Sequence, residues 1–310
     1  MQWGQIKTLF ILCFLILNVY LFYQFIDKQN ESDLRVKEAP DSSIETKLKN
    51  ENIKVGKLPQ DEKRESFISV KQRSLSDKDK KELDKLQNQT TTILDDKQIL
   101  SSFDKPIEIP KDAKEDAVAT TVKQNVWHGD EYSLWNWNKD INMLVFFQKK
   151  KDQPVFFNQS GVLLVFLNDK NEIISYTQTL LGDADDKDAE KKDLIKSIKA
   201  VETLYKTNEL QSGDEITNAN IGFYTRLPFE NGVQVFVPTW KITVNDERHY
   251  FVNALEGYAI PSNEAQFLTD TLTSILEKLE KLDDDHKQKE PFIKLMNDRL
   301  TAIEKGQEEE

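Results

Sequence analysis

The sequence predicts an α+β fold, an antiparallel sheet with packed helices, preceded by one transmembrane helix and followed by a helical tail. Three observations predict it. Leu9–Ile26 is a predominantly apolar run close to the amino terminus. Between Met143 and Leu255, short β-rich runs are broken once by a stripe of helical period. After Pro261, apolar residues recur at heptad spacing as far as Leu282.

The apolar run comes first. Its length, roughly eighteen residues at about 1.5 Å of rise each, spans most of a bilayer's hydrocarbon core. Lys7 bounds it on one side and Asp27 and Lys28 on the other, with Tyr20, Tyr23 and Phe25 toward the far end. A removable signal peptide is the alternative, but Val19 through Asn30 offers only bulky or polar side chains where cleavage needs small ones. Phe14, Leu15, Asn18, Leu21, Phe22 and Phe25 share one helix face by i+3/i+4 spacing. Asn18 lies near mid-span, where an amide facing lipid lacks partners, so Phe14, Asn18, Leu21, Phe22 and Phe25 are the expected contact face for a partner helix. Its alternative is a bond to its own helical turn.

Composition narrows the partners. A net charge of −12 repels nucleic-acid phosphates and supplies no basic patch for anionic lipid. Charged residues make up 31% of the chain against 38% hydrophobic, so part of it is expected to be unpacked. The single cysteine, Cys13, lies inside the apolar run, and no disulfide is available to the rest. Lys7 on one side against Lys28, Arg35 and Lys37 on the other leaves the orientation open by charge, although a short amino-terminal tail favours an external body.

From Asp27 to Glu65 no period persists, which reads as a solvated stalk. Phe67–Leu75 reads as a strand, and Ser76-Asp77-Lys78-Asp79 as a capping box opening a short helix. Pro106 and Pro110 bracket an edge-type extended piece. Trp127, Tyr132, Trp135 and Trp137 then fall close together. They read either as a hairpin whose rings cover a sheet or as a stacking platform for sugars, with Trp135 and Trp137 expected on one face at period two.

Met143–Gln148 and Val155–Phe157 read as short strands, and Val162–Leu167 with Ile173–Leu180 as a hairpin turning at Asn168–Asn171. Gly182–Asp188 fails as a calcium loop because Lys187 and Leu194 stand where acids are needed; its acids suit a helix amino terminus instead. Leu194, Ile198, Val201 and Tyr205 mark that helix. Three strands follow, Ile221–Leu227, Val233–Val244 and His249–Leu255. In the middle one the apolar phase shifts beside Pro238, which predicts a β-bulge. Leu268, Leu272, Ile275, Leu279 and Leu282, then Phe292 to Ile303, suggest two antiparallel helices, read either as a partner-binding coiled coil or as packing on their own domain.

Catalytic signatures are missing. His128, His249 and His286 are scattered without metal-ligand spacing, and no phosphate loop or nucleophile elbow occurs. The acids leave room for a glycosidase pair, which needs no sequence spacing. No cofactor is expected, and no enzyme.

Several stretches together resemble the YycI family, membrane-anchored regulators of low-GC Gram-positive bacteria. They are Lys7-Thr8-Leu9-Phe10-Ile11-Leu12 with Leu17-Asn18, Gly161-Val162-Leu163, Ser175-Tyr176-Thr177-Gln178 and Ala200-Val201-Glu202-Thr203-Leu204-Tyr205. Val237-Pro238-Thr239-Trp240 and Phe251-Val252-Asn253-Ala254-Leu255-Glu256-Gly257 complete the set. The resemblance implies a single-pass cell-membrane protein with its body outside, similar in fold to the carboxyl-terminal part of YycH. It further implies assembly with YycH on the WalK (YycG) sensor histidine kinase, which with WalR controls cell-wall metabolism. On that reading the chain divides into a cytoplasmic tail (1–8), an anchor (9–26), a polar stalk (27–65), an extracellular regulatory domain (66–260) and a helical extension (261–310). A cell-wall glycan-binding module using Trp127, Trp135 and Trp137 is the competing reading.

Overall fold

The computed structural model describes residues 3–34, 42–60, 63–110, 112–185, 189–228, 232–283 and 286–309, and its contacts divide the chain into two units, Met1–Glu51 and Asn52–Glu310. The first unit holds helices α1 (Trp3–Leu34) and α2 (Ser42–Asn50). In α2, Ile44 and Leu48 lie four apart and are both buried. Among the described residues no helix is long and apolar enough to cross a membrane.

The second unit is one large, mostly antiparallel sheet with helices on its faces. Its strands begin with β1 (Lys54–Val55), β2 (Arg64–Glu65) and β3 (Ile68–Lys71), then β4 (Gln89–Leu94) and β5 (Gln98–Ile107) after helix α3 (Asp77–Leu83). Helix α4 (Glu115–Asn125) leads to β6 (Tyr132–Asn138), β7 (Met143–Lys150), β8 (Gln153–Phe156), β9 (Val162–Leu167) and β10 (Ile173–Thr179). β11 (Lys192–Asp193) and α5 (Ser197–Lys206) precede β12 (Glu215–Pro228), β13 (Val233–Val244), β14 (Arg248–Asn253) and β15 (Ala259–Ile260). Helices α6 (Glu264–Leu279) and α7 (Lys289–Glu309) end the chain.

The sheet runs β15-β14-β13-β12-β8-β7-β9-β10-β5-β4, with β6 beside β7, β3 beside β13 and β1 beside β12. Its two halves meet at β8. One end of β8 pairs antiparallel with β7 through Lys149–Pro154 and Lys150–Gln153. The other pairs parallel with β12 through Val155–Phe223 and Phe156–Tyr224. Lys151 and Asp152, both at positive φ, make the two-residue turn this tight hairpin needs.

Two cores sandwich the β4–β10 half. On one face Val118, Ala119 and Val122 of α4 and Leu83 of α3 pack with Ile99, Leu144, Phe146, Leu163, Val165 and Tyr176. On the other, Leu268, Leu272, Ile275 and Leu279 of α6 and Phe292, Met296 and Ile303 of α7 pack with Met143, Val145, Leu164 and Phe166. The heptad residues of the tail therefore cover this protein's own sheet. That settles the two readings of the tail in favour of packing on its domain. Polar bonds hold the same docking, from Lys278 to Gln98 Oε1 (2.8 Å) and from Arg299 to the Leu167 carbonyl (2.7 Å).

Many local expectations match. Ser76 caps α3 with the reciprocal Asp79 bond of a capping box, and Asp79 also takes Arg73 at 2.6 Å. The β9–β10 hairpin pairs Leu167 with Ile173, and the Asn168 side chain accepts from the Lys170 and Glu172 amides.

Three expectations need correction. The stretch read as a solvated stalk carries α2, β1 and β2. Two-residue strands give no period, and only isolated Ile53 and Leu58, both buried, betray them. Pro238 forms no bulge, because register runs unbroken through Phe223–Pro238, Gly222–Thr239 and Ile221–Trp240. β3 pairs β13 only as far as Phe236 and β14 takes over from Thr239, so the proline sits at a change of neighbour, where its missing N–H matters least. The bulges lie instead in β12, at 216–218 and 225–227. The acids of Gly182–Asp188 do not open α5, which starts at Ser197 with no acid in its first turn; residues 186–188 lie outside the described ones. The edge-type reading of Pro106 holds, since it lies in β5 beyond Phe103, where pairing with β4 ends and β10 alone stands beside the strand.

Candidate partner-binding surface

Every large apolar side chain described between Phe10 and Tyr23 is exposed, from Leu17 at 48% to Tyr23 at 68%. A helix that is apolar all round has no face suited to water, and needs either a protein core or lipid around it. Phe14, Leu15, Asn18, Leu21 and Phe22 line one shallow concavity along it, together with Phe10, Ile11 and Val19. The side chain of Phe25 lies outside the described ones. Gln24 bonds the Tyr20 hydroxyl at 3.1 Å one turn back, whereas the Asn18 amide makes no hydrogen bond among the described residues.

The tryptophans do not form a platform. Trp127 is 7% exposed, packs in the α4 core and carries the Arg73 guanidinium 5.5 Å above its ring. β6 pairs Leu134 with Phe146 and Asn136 with Val145, leaving Trp135 as the extra residue of a bulge. That bulge breaks the period-two expectation. Trp137 packs on the α3–α4 side and Trp135 on the α6–α7 side, so the pair does not share a face. Trp135 meets the rings of His249 (4.8 Å), Phe157 (5.3 Å) and Phe147 (5.4 Å), and its indole N–H donates to Glu264 at 2.8 Å. Phe157, in the left-handed region at φ 47°, is held there by the same ring cluster. The hairpin whose rings cover a sheet is what the structure shows.

Among the described residues no group of three His, Cys, Asp or Glu is placed to hold a metal. A family profile described as "YycI protein" matches residues 31–255. The chain belongs to the YycI family. Membership points to a regulatory role in the WalK (YycG) two-component system, and the YycI family is a family of regulatory proteins. No curated protein matches the chain. Among solved structures, an uncharacterized protein from Eubacterium rectale ATCC 33656 is similar at 9% identity and a TM-score of 0.41, over 64% of this chain and 87% of that one.

The stretches by which YycI was recognisable turn out to build the body. Gly161 lies against Leu181, where a Cβ would come within 2.7 Å of its side chain. Tyr176, Thr177 and Gln178 are buried, with Gln178 donating to the Trp127 carbonyl at 2.7 Å. Asn253 ends β14 by accepting the Leu255 and Glu256 amides, and Gly257 completes that turn at φ 73°. Thr203 of α5 ties itself to this turn through the Gly257 carbonyl at 2.9 Å.

One feature of the body carried no signal in the sequence. Where β8 joins the halves, a cavity of about 360 Å³ is lined by Lys63, Lys149 and Lys241 above Trp135, Phe147 and Phe156. Its residues come from segments far apart in the chain, each ordinary in its own context.

Proposed function

We propose that this YycI-family chain is a non-enzymatic regulatory subunit, anchored in the cell membrane by Leu9–Ile26 with its body outside. It assembles with YycH and biases the WalK sensor histidine kinase through its anchor helix. The observation that carries the reading is the exposure of the apolar side chains between Phe10 and Tyr23, which water does not tolerate over so many consecutive residues. The sequence run extends to Ile26, long enough for a bilayer core. In that setting the unbonded Asn18 amide, flanked by Phe14, Leu21 and Phe22, turns to another helix. Phe25 continues the stripe in sequence. A two-state kinase responds only to differential contacts between its states, and interhelical amide bonds of about 0.6–2 kcal/mol shift such an equilibrium by roughly threefold to thirtyfold. No catalytic step is assigned to the chain.

The test is Asn18→Leu, which keeps the span and deletes the amide. Association with the kinase or with YycH should weaken by roughly threefold to thirtyfold while expression and orientation survive. A tryptophan moved around the helix should reproduce the defect only on the Asn18 face. Wild-type assembly by Asn18→Leu, with no preferred face in the scan, would reduce the anchor to a tether.

A further inference from the structure

We propose that the cavity beside β8 is a binding site for a small organic anion carrying a ring, its charge met by Lys241, Lys149 and Lys63 and its ring set against the apolar floor that Trp135, Phe147 and Phe156 share. The proposal goes beyond the regulatory reading above and stands on the body alone.

The chemistry of the lining points there. The net charge of the chain is −12, yet this concavity gathers three lysines against one acid, Asp152. None of the three lysines forms an ion pair among the described residues, although Lys151 next door is paired to Glu65 at 2.9 Å. Lys241 is the anomalous one. Its ammonium lies 4.6 Å from the centroid of the Trp135 ring, on a strand flanked by Asn220 and Phe251, and burial holds its pKa below the ordinary lysine value. Glu115 acts on it electrostatically but forms no ion pair with it, so the cation is drawn out of water with its charge only partly met, and an incoming anion would relieve that cost.

The Gln153 side-chain oxygen is buried at the same place without a hydrogen-bond partner, and as an acceptor it calls for a hydroxyl or N–H on the ligand's ring and not for the anionic head. The floor is apolar and aromatic, from Phe147, Phe156 and Trp135. A cavity of about 360 Å³ lies in the range of small-ligand sites, and junctions between structural halves are where such sites concentrate. A bare inorganic anion would use the lysines and waste the floor; a neutral ring would do the reverse. The two together select a ring-bearing anion, whose head is a carboxylate or a phosphate.

Glucose 1-phosphate and N-acetylmuramic acid serve as ring-bearing probes of the two head groups. N-acetylglucosamine and inorganic phosphate are the single-feature controls. Each is titrated into the full chain in detergent micelles, followed by tryptophan fluorescence and calorimetry. At least one ring-bearing anion should bind about tenfold more tightly than both controls, more weakly as salt rises, and the better of the two identifies the head group. Lys241→Gln should weaken that binding at least about tenfold, and Lys149→Gln about threefold. If Lys241→Gln does not fold, Lys149→Gln and Lys63→Gln carry the test. The proposal is overturned if neither ring-bearing anion binds, if N-acetylglucosamine binds as well as they do, or if folded lysine variants bind like wild type. None of these outcomes touches the Asn18 test, so the two readings fail separately.

Discussion

Trp240→Ala is the sharpest probe of how the body is held together. Trp240 is 1% exposed in β13, with Ile221 of β12 opposite it on one side and Val252 of β14 on the other. Its indole N–H donates to the Ile195 carbonyl at 2.8 Å. The Ile195 amide in turn donates to the Ala254 carbonyl at 2.8 Å, and the amide of the preceding residue, Leu194, to the Lys63 carbonyl at 2.9 Å. One side chain thus ties the segment before α5 to an interior strand of the sheet. Truncation to alanine removes a fully buried ring and leaves a cavity, which costs about 3–5 kcal/mol. It also strips the Ile195 carbonyl of its donor, worth about 1–3 kcal/mol if water does not enter. Against a net stability of about 5–15 kcal/mol, the variant should be marginal. Trp240→Phe separates the two contributions in part, because it keeps one ring and loses the N–H with the rest of the indole. Its expected cost is about 2–4 kcal/mol, the hydrogen-bond part plus a smaller cavity. Urea unfolding of the full chain in micelles, followed by far-ultraviolet circular dichroism, reads both. If Trp240→Ala unfolds at the wild-type midpoint, the buried packing of Trp240 does not hold the body together. If Trp240→Phe costs as much as Trp240→Ala, the bond to Ile195 carries the effect and the cavity argument fails.

Acid should act in two steps. Burial, with Lys241 nearby, depresses the His249 pKa to about 4, so between about 6.5 and 4 the unfolded chain takes up a proton that the folded one refuses. Its contribution is complete above about pH 6.5 and is lost as pH falls toward 4. His249→Phe should flatten that window by about 1 kcal/mol, a figure discounted because the ring is only partly buried; an unchanged pH profile would refute the assignment. Below about pH 3.8 a second loss should follow from Asp79 and Asp214. Burial raises their pKa values, but bonds to Ser76 and Arg73, and to Gln211 and Arg248, outweigh it and hold the carboxyls low. Truncation after Pro261 should abolish folding, because eight buried apolar residues of α6 and α7 contribute on the order of 10–20 kcal/mol of gross burial. A truncated body that melts like the full chain would return those helices to the role of a detachable coiled coil.

How far the fold was legible depended on whether one element's periodicity was enough. The β9–β10 hairpin, the α3 capping box and the helix around Val201 are local, and their residues stand in the structure as their spacing demands. The misread elements were decided by neighbours. Phe236, Trp240, Ile242 and Val244 keep one phase through Pro238, and the apparent slip came from Val233, Val235 and Val237, which lie on the opposite face. The Trp135 bulge is likewise invisible without β7 beside it. β1 and β2 are strands only because β12 and β11 are there to pair with them. The lysine cavity was not legible at all, because three lysines in three segments carry no period.

That contrast bears on where regulation resides. The stretches that mark the family within 31–255 are the ones that pack Tyr176, close the Asn253–Gly257 turn and seat α5, so they account for a body and not for a choice of partner. The exposed apolar helix from Phe10 to Tyr23 lies ahead of that matched range. If coupling to the kinase runs through the anchor, replacing Leu9–Ile26 with an unrelated apolar helix of equal length and charge should leave the body folded. The protein should still be cut by protease outside the cell, yet lose control of the regulon as completely as a deletion strain. Restoring only Phe14, Asn18, Leu21, Phe22 and Phe25 within the foreign helix should recover a measurable part of the control, because those positions form the stripe while the rest faces lipid. A replacement that regulates like wild type would move the coupling to the body, and a foreign helix that gains nothing from the five residues would show that the stripe is not the contact face. The unbonded amide of Asn18 favours recovery.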